Sequence, residues 1–208
     1  MRANDQFAGG IAGSNRAGTN GQIGTITGCT NNAGSNGNNY TVYATNGNAG
    51  GIAGSNESGA QIVDSVVGGV KIGVAKCDAA AIAANNFGTI QGGTVGSCDI
   101  TFAGESIGAV TAINNKNATI SGVTLSENAA IVYQARPPMW AALRQKCRYD
   151  WRVQGRKPCT GAQRPYGPGR QHQLGGAAGV NMQDAKISET TVTLNITDNL
   201  NKCKNLAA

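Results

Sequence analysis

An octapeptide, Ala-Gly-Gly-Ile-Ala-Gly-Ser-Asn, occurs twice without a mismatch in this chain, at Ala8–Asn15 and again at Ala49–Asn56. A segment so poor in large side chains cannot fill a globular interior, and its verbatim reuse marks one small structural unit laid down in series. Looser copies follow. Ala81-Ile82-Ala83-Ala84-Asn85-Asn86 leads to Gly88 and Ile90, Ala109-Val110-Thr111-Ala112-Ile113-Asn114 to Ala118 and Ile120, and Gly176-Ala177-Ala178-Gly179-Val180-Asn181 to Ala185 and Ile187. The unit therefore recurs five times.

Between copies the chain alternates. Thr191-Val192-Thr193-Leu194-Asn195-Ile196-Thr197 is apolar at every second position, and Lys71–Val74 and Asp99–Phe102 are shorter runs of the same kind. Period-2 runs of four to seven residues punctuated by Gly and Asn predict short strands and tight turns, with no helical period outside one exceptional segment. The composition agrees: Gly is 31 of 208 residues, aromatics are 5% and charged residues 13%. The expected fold is all-β: a right-handed β-helix, or β-solenoid, of short strands, with about one coil per repeat of 28 to 41 residues. Ala and Gly let coils approach, one Ile or Val per strand fills a narrow interior, and Gly and Asn serve corners that need positive φ. Asn15, Asn56, Asn85 and Asn181 fall near equivalent corners, either as a stacked hydrogen-bonded ladder or as ordinary turn residues.

Three regions follow: repeats over 1–132, an anomalous segment over 133–174, and a last, truncated repeat over 175–208. The segment Tyr133–Leu174 holds nine Arg or Lys against one acid, both Trp, the single His172 and all five Pro. The remainder carries eight bases and ten acids, so the formal charge of +6 belongs to one segment and argues against a nucleic-acid partner. The anchors Ile11, Ile52, Ile82, Val110 and Ala177 are separated by 41, 30, 28 and 67 residues, which predicts one copy missing within the last gap. Either a basic insertion fills it or the copy is encoded out of frame. Codons for Gln145–Arg152 read one base later permit Lys-Asn-Ala-Gly-Thr-Ile-Gly, and those for Met139–Leu143 read two bases later permit Val-Gly-Gly-Ile. The second reading places the missing anchor near Ala142 or Leu143. Pro is excluded from most ladder positions, so the segment is not expected to continue the solenoid.

Candidate chemistry is thin. The six Cys (Cys29, Cys77, Cys98, Cys147, Cys159 and Cys203) form no C-x-x-C pair, and one His leaves little for a mixed Cys/His zinc site. Cys29 and Cys98 follow strand-like runs and read as small buried thiols. The acids Asp64, Asp78, Asp99, Glu105, Glu127, Asp184, Glu189 and Asp198 are scattered singly, as solvated surface charges are. Gly9–Gly13 recurs at every coil with no helix after it and is no nucleotide loop. Thr25-Ile26-Thr27 and Thr191-Val192-Thr193 have the alternation of an ice- or crystal-binding face, but the other copies do not repeat it. No catalytic, cofactor-binding or metal-binding residue is assigned.

The pattern G-G-I-A-G-x-N-x-x-G-x-I resembles the GLUG-motif repeats found in large surface and secreted bacterial proteins, including non-catalytic regions of immunoglobulin-A-specific metallopeptidases. The resemblance covers about 150 of the 208 residues and is closest in the first two copies. It implies a repetitive β-solenoid scaffold or adhesin at the cell surface or outside the cell. It carries no catalytic residue here, and the H-E-x-x-H of a zinc peptidase is missing. The expected partners are neighbouring domains of a longer chain and a host or matrix protein or glycan, with no direct membrane insertion. There is no secretion signal or anchor, and repeats running to both ends without caps read as a fragment. The alternative is the repeat region of a secreted peptidase or of a polysaccharide-acting β-helix enzyme.

Overall fold

The fold is described from a computed structural model over residues 1–4, 6–34, 40–74, 77–102, 106–126, 131–135, 173–192, 197–198 and 205–207. Within them the chain is all β, in short strands and turns. The second coil gives the plan: Val42–Ala44, Asn48–Gly50, Ala53–Asn56, Gln61–Val63 and Val66–Val67. These five strands belong to five different sheets, numbered I to V in that order. The later coils follow the same sequence of sheets as far as they are described, and each strand pairs in parallel with its counterparts in the adjacent coils. The result is the expected β-solenoid, advancing about 4.8 Å per coil.

The octapeptide spans sheet II, the corner and sheet III. Its anchors stack at that corner, where Ile11 N donates to Ile52 O, Ile52 N to Ile82 O, Ile82 N to Val110 O and Val110 N to Ala177 O. Backbone pairing thus continues through the bend, which satisfies groups that a corner otherwise strands. Small residues are needed because sheets II and III face each other at close range. A Cβ on Gly54 would stand 2.7 Å from Phe7 Cβ and 2.8 Å from Ala8 N.

Inside, like stacks on like. In sheet IV, Ile26, Ile62, Ile90, Ile120 and Ile187 form one row along the axis. Val67, Val95 and Leu125 form another in sheet V, and Val42, Ile72 and Ile100 a third in sheet I. These rows make a single apolar core. Burial comes from the neighbouring coil more than from the strand's own sequence, and the duplicated octapeptide proves it. Ile52 is 0% exposed between two coils, whereas Ile11, in the identical sequence of the first coil, is 44% exposed.

The corner between sheets IV and V is left-handed in every coil. Gly28, Asp64, Gly92, Gly122 and Glu189 occupy it with φ of 60°, 48°, 63°, 65° and 50°. Gly enters this region without a Cβ penalty, so three of the five are Gly.

One expectation changes. The alternating run from Thr191 is not one strand: Thr191 bridges to Thr124 in line with sheet V, Thr197–Asp198 joins sheet I, and residues 193–196 lie outside the described residues. No coil separates the fourth copy from the fifth, in keeping with a segment not expected to continue the solenoid. Thr111 pairs with Ala178, Ile113 with Val180 and Asn114 with Asn181. The fifth coil enters sheet I at Ile131–Ala135 and sheet II at Gln173–Gly175, so the long gap falls between two strands of one coil. The predicted anchor near Ala142 or Leu143 lies outside the described residues, as does most of the basic segment.

Candidate functional site

The most highly organised polar feature is internal. Asn15 Nδ2 donates to Asn56 Oδ1 at 2.9 Å, Asn56 Nδ2 to Asn86 Oδ1 at 2.9 Å, Asn86 Nδ2 to Asn114 Oδ1 at 2.8 Å and Asn114 Nδ2 to Asn181 Oδ1 at 2.8 Å. Each amide spends its second proton on a main-chain carbonyl: Asn15 on Gln61 O, Asn56 on Thr89 O, Asn86 on Thr119 O and Asn114 on Lys186 O. The ladder joins the end of sheet III in one coil to the start of sheet IV in the next. Asn56, Asn86 and Asn114 are fully buried, so this is a satisfied polar spine in a low-dielectric interior. It resolves the two readings of the corner asparagines in favour of a ladder, with a correction. The third rung is Asn86, not Asn85, and Asn114 supplies the fourth. Asn85 faces the other way, in the row with Ser55, and its Oδ1 and the Ser55 Oγ are buried without a protein partner.

Cys98 is buried in sheet I, where desolvation pushes its thiol up to about 12, opposed in part by a hydrogen bond to the Val70 backbone. It is an inert core thiol. Cys29 is only half-buried, its Sγ 3.5 Å from Thr27 O, and Cys77 sits near Asn46 O. All three are thiols outside any disulfide; Cys147, Cys159 and Cys203 lie outside the described residues.

Among the described residues the acids do not converge. Asp64 and Glu189 share the left-handed corner but are three coils apart, about 14 Å by the coil rise. Asp78 Oδ1 accepts from Ser106 N at 2.9 Å, Asp99 lies on sheet I, and Asp184 pairs with Lys116 at 3.8 Å. Among the described residues no three His, Cys, Asp or Glu side chains gather as a metal site, and no helix is long and apolar enough to cross a membrane. Glu105, Glu127 and His172 lie outside the described residues.

The outer faces carry two patterns that the sequence hid. Along sheet V and its continuation the outward row reads Thr30, Val66, Thr94, Thr124 and Thr191, a row of hydroxyls one residue wide broken by Val66. Sheet IV turns out Thr25, Gln61, Thr89, Thr119 and Lys186, beside Thr27, Val63, Gln91, Ser121 and Ser188, so a broad Thr-x-Thr plane does not form there. On sheet I the outward side chains include Arg2, Tyr43 and Lys71, with Tyr40 lying across them. The threonines of the sheet V row stand 30 or more residues apart in the chain, and only the coil register aligns them.

No protein-family model, curated protein or solved structure matches this chain.

Proposed function

We propose that the chain is a non-catalytic repeat scaffold, a stalk or adhesin region of a bacterial cell-surface or secreted protein. One observation carries the reading: the residues that the repeat invests in most heavily are turned inward. The isoleucine row and the buried asparagine ladder both run parallel to the axis and bind each coil to the next. Such rows give axial cohesion and leave the outer faces free to vary, which is what a spacer or display surface needs. The resemblance of the octapeptide copies to GLUG-motif repeats supports the surface or secreted location. Partners would then be neighbouring domains along the same chain and a host or matrix protein or glycan met on the outer faces.

Single-molecule extension between handles at the two ends tests the mechanical part. A scaffold of this design releases coil by coil, the coils of 28 to 41 residues freeing roughly 100 to 140 Å of contour each and the one that carries the 67-residue gap about 230 Å. Release of the whole chain in one event, at forces no greater than those that straighten an unfolded polymer, would overturn it.

A further inference from the structure

Asn-Gly pairs stand at Asn20–Gly21, Asn36–Gly37 and Asn46–Gly47, the second of them outside the described residues. Such a pair carries its own reaction. The glycine N, its proton given up to a solvent base, attacks the asparagine Cγ. A C–N bond forms, the Cγ–Nδ2 bond breaks and ammonia leaves. Water then adds to either carbonyl of the cyclic imide and opens it to aspartate or isoaspartate, with nothing oxidised or reduced. The reaction needs a following residue without a side chain in the way, which Gly supplies, and a backbone able to swing until N meets Cγ. The coils grant that freedom to one pair and deny it to the other. Asn46 N donates to Asn4 O at 3.1 Å, Asn48 N to Gln6 O at 2.8 Å, and the Cys77 thiol to Asn46 O at 3.6 Å. Gly47 is buried so closely against Gln6 that a Cβ there would overlap the Gln6 carbonyl. The second pair is thus stitched to the coils on both sides. Asn20 and Gly21 instead stand exposed in the first coil's turn between sheets III and IV. That turn is closed outside the pair, by Gly18 N donating to Gln22 O at 2.7 Å. Among the described residues neither the Asn20 side chain nor Gly21 N has a hydrogen-bond partner, and the space beside Gly21 is open.

We propose that Asn20 is a self-modifying site, converted in the folded protein to aspartate and isoaspartate, while the coils hold Asn46 and the ladder asparagines unreactive. In the ladder the attacking nitrogen is already committed. Glu57 N donates to Asn15 O at 2.9 Å, Phe87 N to Asn56 O at 2.7 Å, Asn115 N to Asn86 O at 2.8 Å and Met182 N to Asn114 O at 2.9 Å. Each residue that follows Asn56, Asn86, Asn114 or Asn181 is therefore tied to the coil before it, and each is larger than Gly. Asn46 reacts only in the fraction of molecules whose first coils have opened. The site is independent of the spacer reading, whose mechanical test stands whichever way this one falls.

Peptide mapping by mass spectrometry tests the proposal on the full chain, incubated at neutral pH and about 37 °C, folded and in urea. Each conversion adds about 1 Da, and fragment spectra of peptides cut at Arg16, Tyr40 and Tyr43 separate the three pairs. Asn20 is expected to convert in the folded chain within about threefold of its rate in urea, whereas Asn46 converts at least about tenfold more slowly folded than unfolded. Asn56, Asn86, Asn114 and Asn181 are expected to stay intact in the folded chain. Asn20→Gln, whose longer side chain moves the amide out of reach of a five-membered ring, is expected to abolish the gain at position 20. A matching circular-dichroism spectrum and melting midpoint show that this variant keeps the fold. Equal rates for Asn20 and Asn46 in the folded chain would mean that sequence alone sets them and would overturn the proposal. So would an Asn20 rate that rises about tenfold on unfolding, or an undiminished gain in the 17–40 peptide of Asn20→Gln, which would move the reaction to Asn36.

Discussion

Two neighbouring asparagines, Asn85 and Asn86, are expected to respond to the same substitution in opposite ways. Asn86→Ala removes the donor to Asn114 Oδ1 at 2.8 Å and to Thr119 O at 3.2 Å, and the acceptor for Asn56 Nδ2 at 2.9 Å. Asn56 keeps its bond to Thr89 O and so loses one of two partners, while Asn114 Oδ1 loses the donor it has in the ladder. Both side chains are 0% exposed, so water cannot step in without opening the coil. At about 1 to 3 kcal/mol for each buried group left unsatisfied, the loss is roughly 2 to 6 kcal/mol, a large part of a typical domain's stability. Asn85→Ala removes an oxygen that already lacks a partner and is expected to change stability by no more than about 0.5 kcal/mol, or to raise it. Asn181→Ala, at the exposed end of the ladder, should be mild. Urea unfolding followed by circular dichroism and, because coils can open singly, by hydrogen exchange of the sheet III and IV amides, measures all three. Equal losses for Asn85→Ala and Asn86→Ala, or an Asn86→Ala loss under about 0.5 kcal/mol, would refute the reasoning.

Other outcomes follow from the same geometry. Ile90→Ala, at the centre of the sheet IV row, is expected to lower stability by about 2 to 5 kcal/mol, and Ile187→Ala, 37% exposed at its end, by clearly less in the same urea titration. Gly122→Ala, at a φ of 65° with the new methyl in ordinary van der Waals contact 3.6 Å from Gly92 N, tests the corner alone and should cost about 1 to 2 kcal/mol. The Cys98 thiol, raised by burial to about 12, should resist a disulfide reagent at pH 8 until the protein unfolds, while Cys29 and Cys77 react. A folded-state value above the unfolded 9.0 means the stabilisation is complete below pH 9 and is lost as pH rises toward 12, so stability should fall across that window more in the parent than in Cys98→Val.

How far the sequence foretold this depends on which interaction sets each feature. The verbatim octapeptide and the period-2 runs are local, and they correctly indicated stacked coils with small residues at the corner. The ladder rung was off by one although the repeat itself holds the answer: the anchor stands four residues before the ladder Asn in every copy, Ile52 before Asn56 and Ile82 before Asn86, so Asn85 takes the place of Ser55. The 67-residue gap pointed to a copy missing there, and the fifth copy pairs directly with the fourth. The tyrosine pair on sheet I was invisible for a different reason. Arg2, Tyr43 and Gly73 become neighbours through register alone, and Tyr40 is drawn to the place that Gly73 leaves bare.

The central claim is that one repeat makes one coil and that coils add along a single axis. Inserting three further copies of residues 71–98, one coil measured from sheet I to sheet I, after residue 98 tests it most directly. Small-angle X-ray scattering should show the longest dimension increase by about 14 Å at constant cross-section, with the melting midpoint unchanged or higher. Growth in cross-section at constant length, or loss of the cooperative melt, would contradict the account.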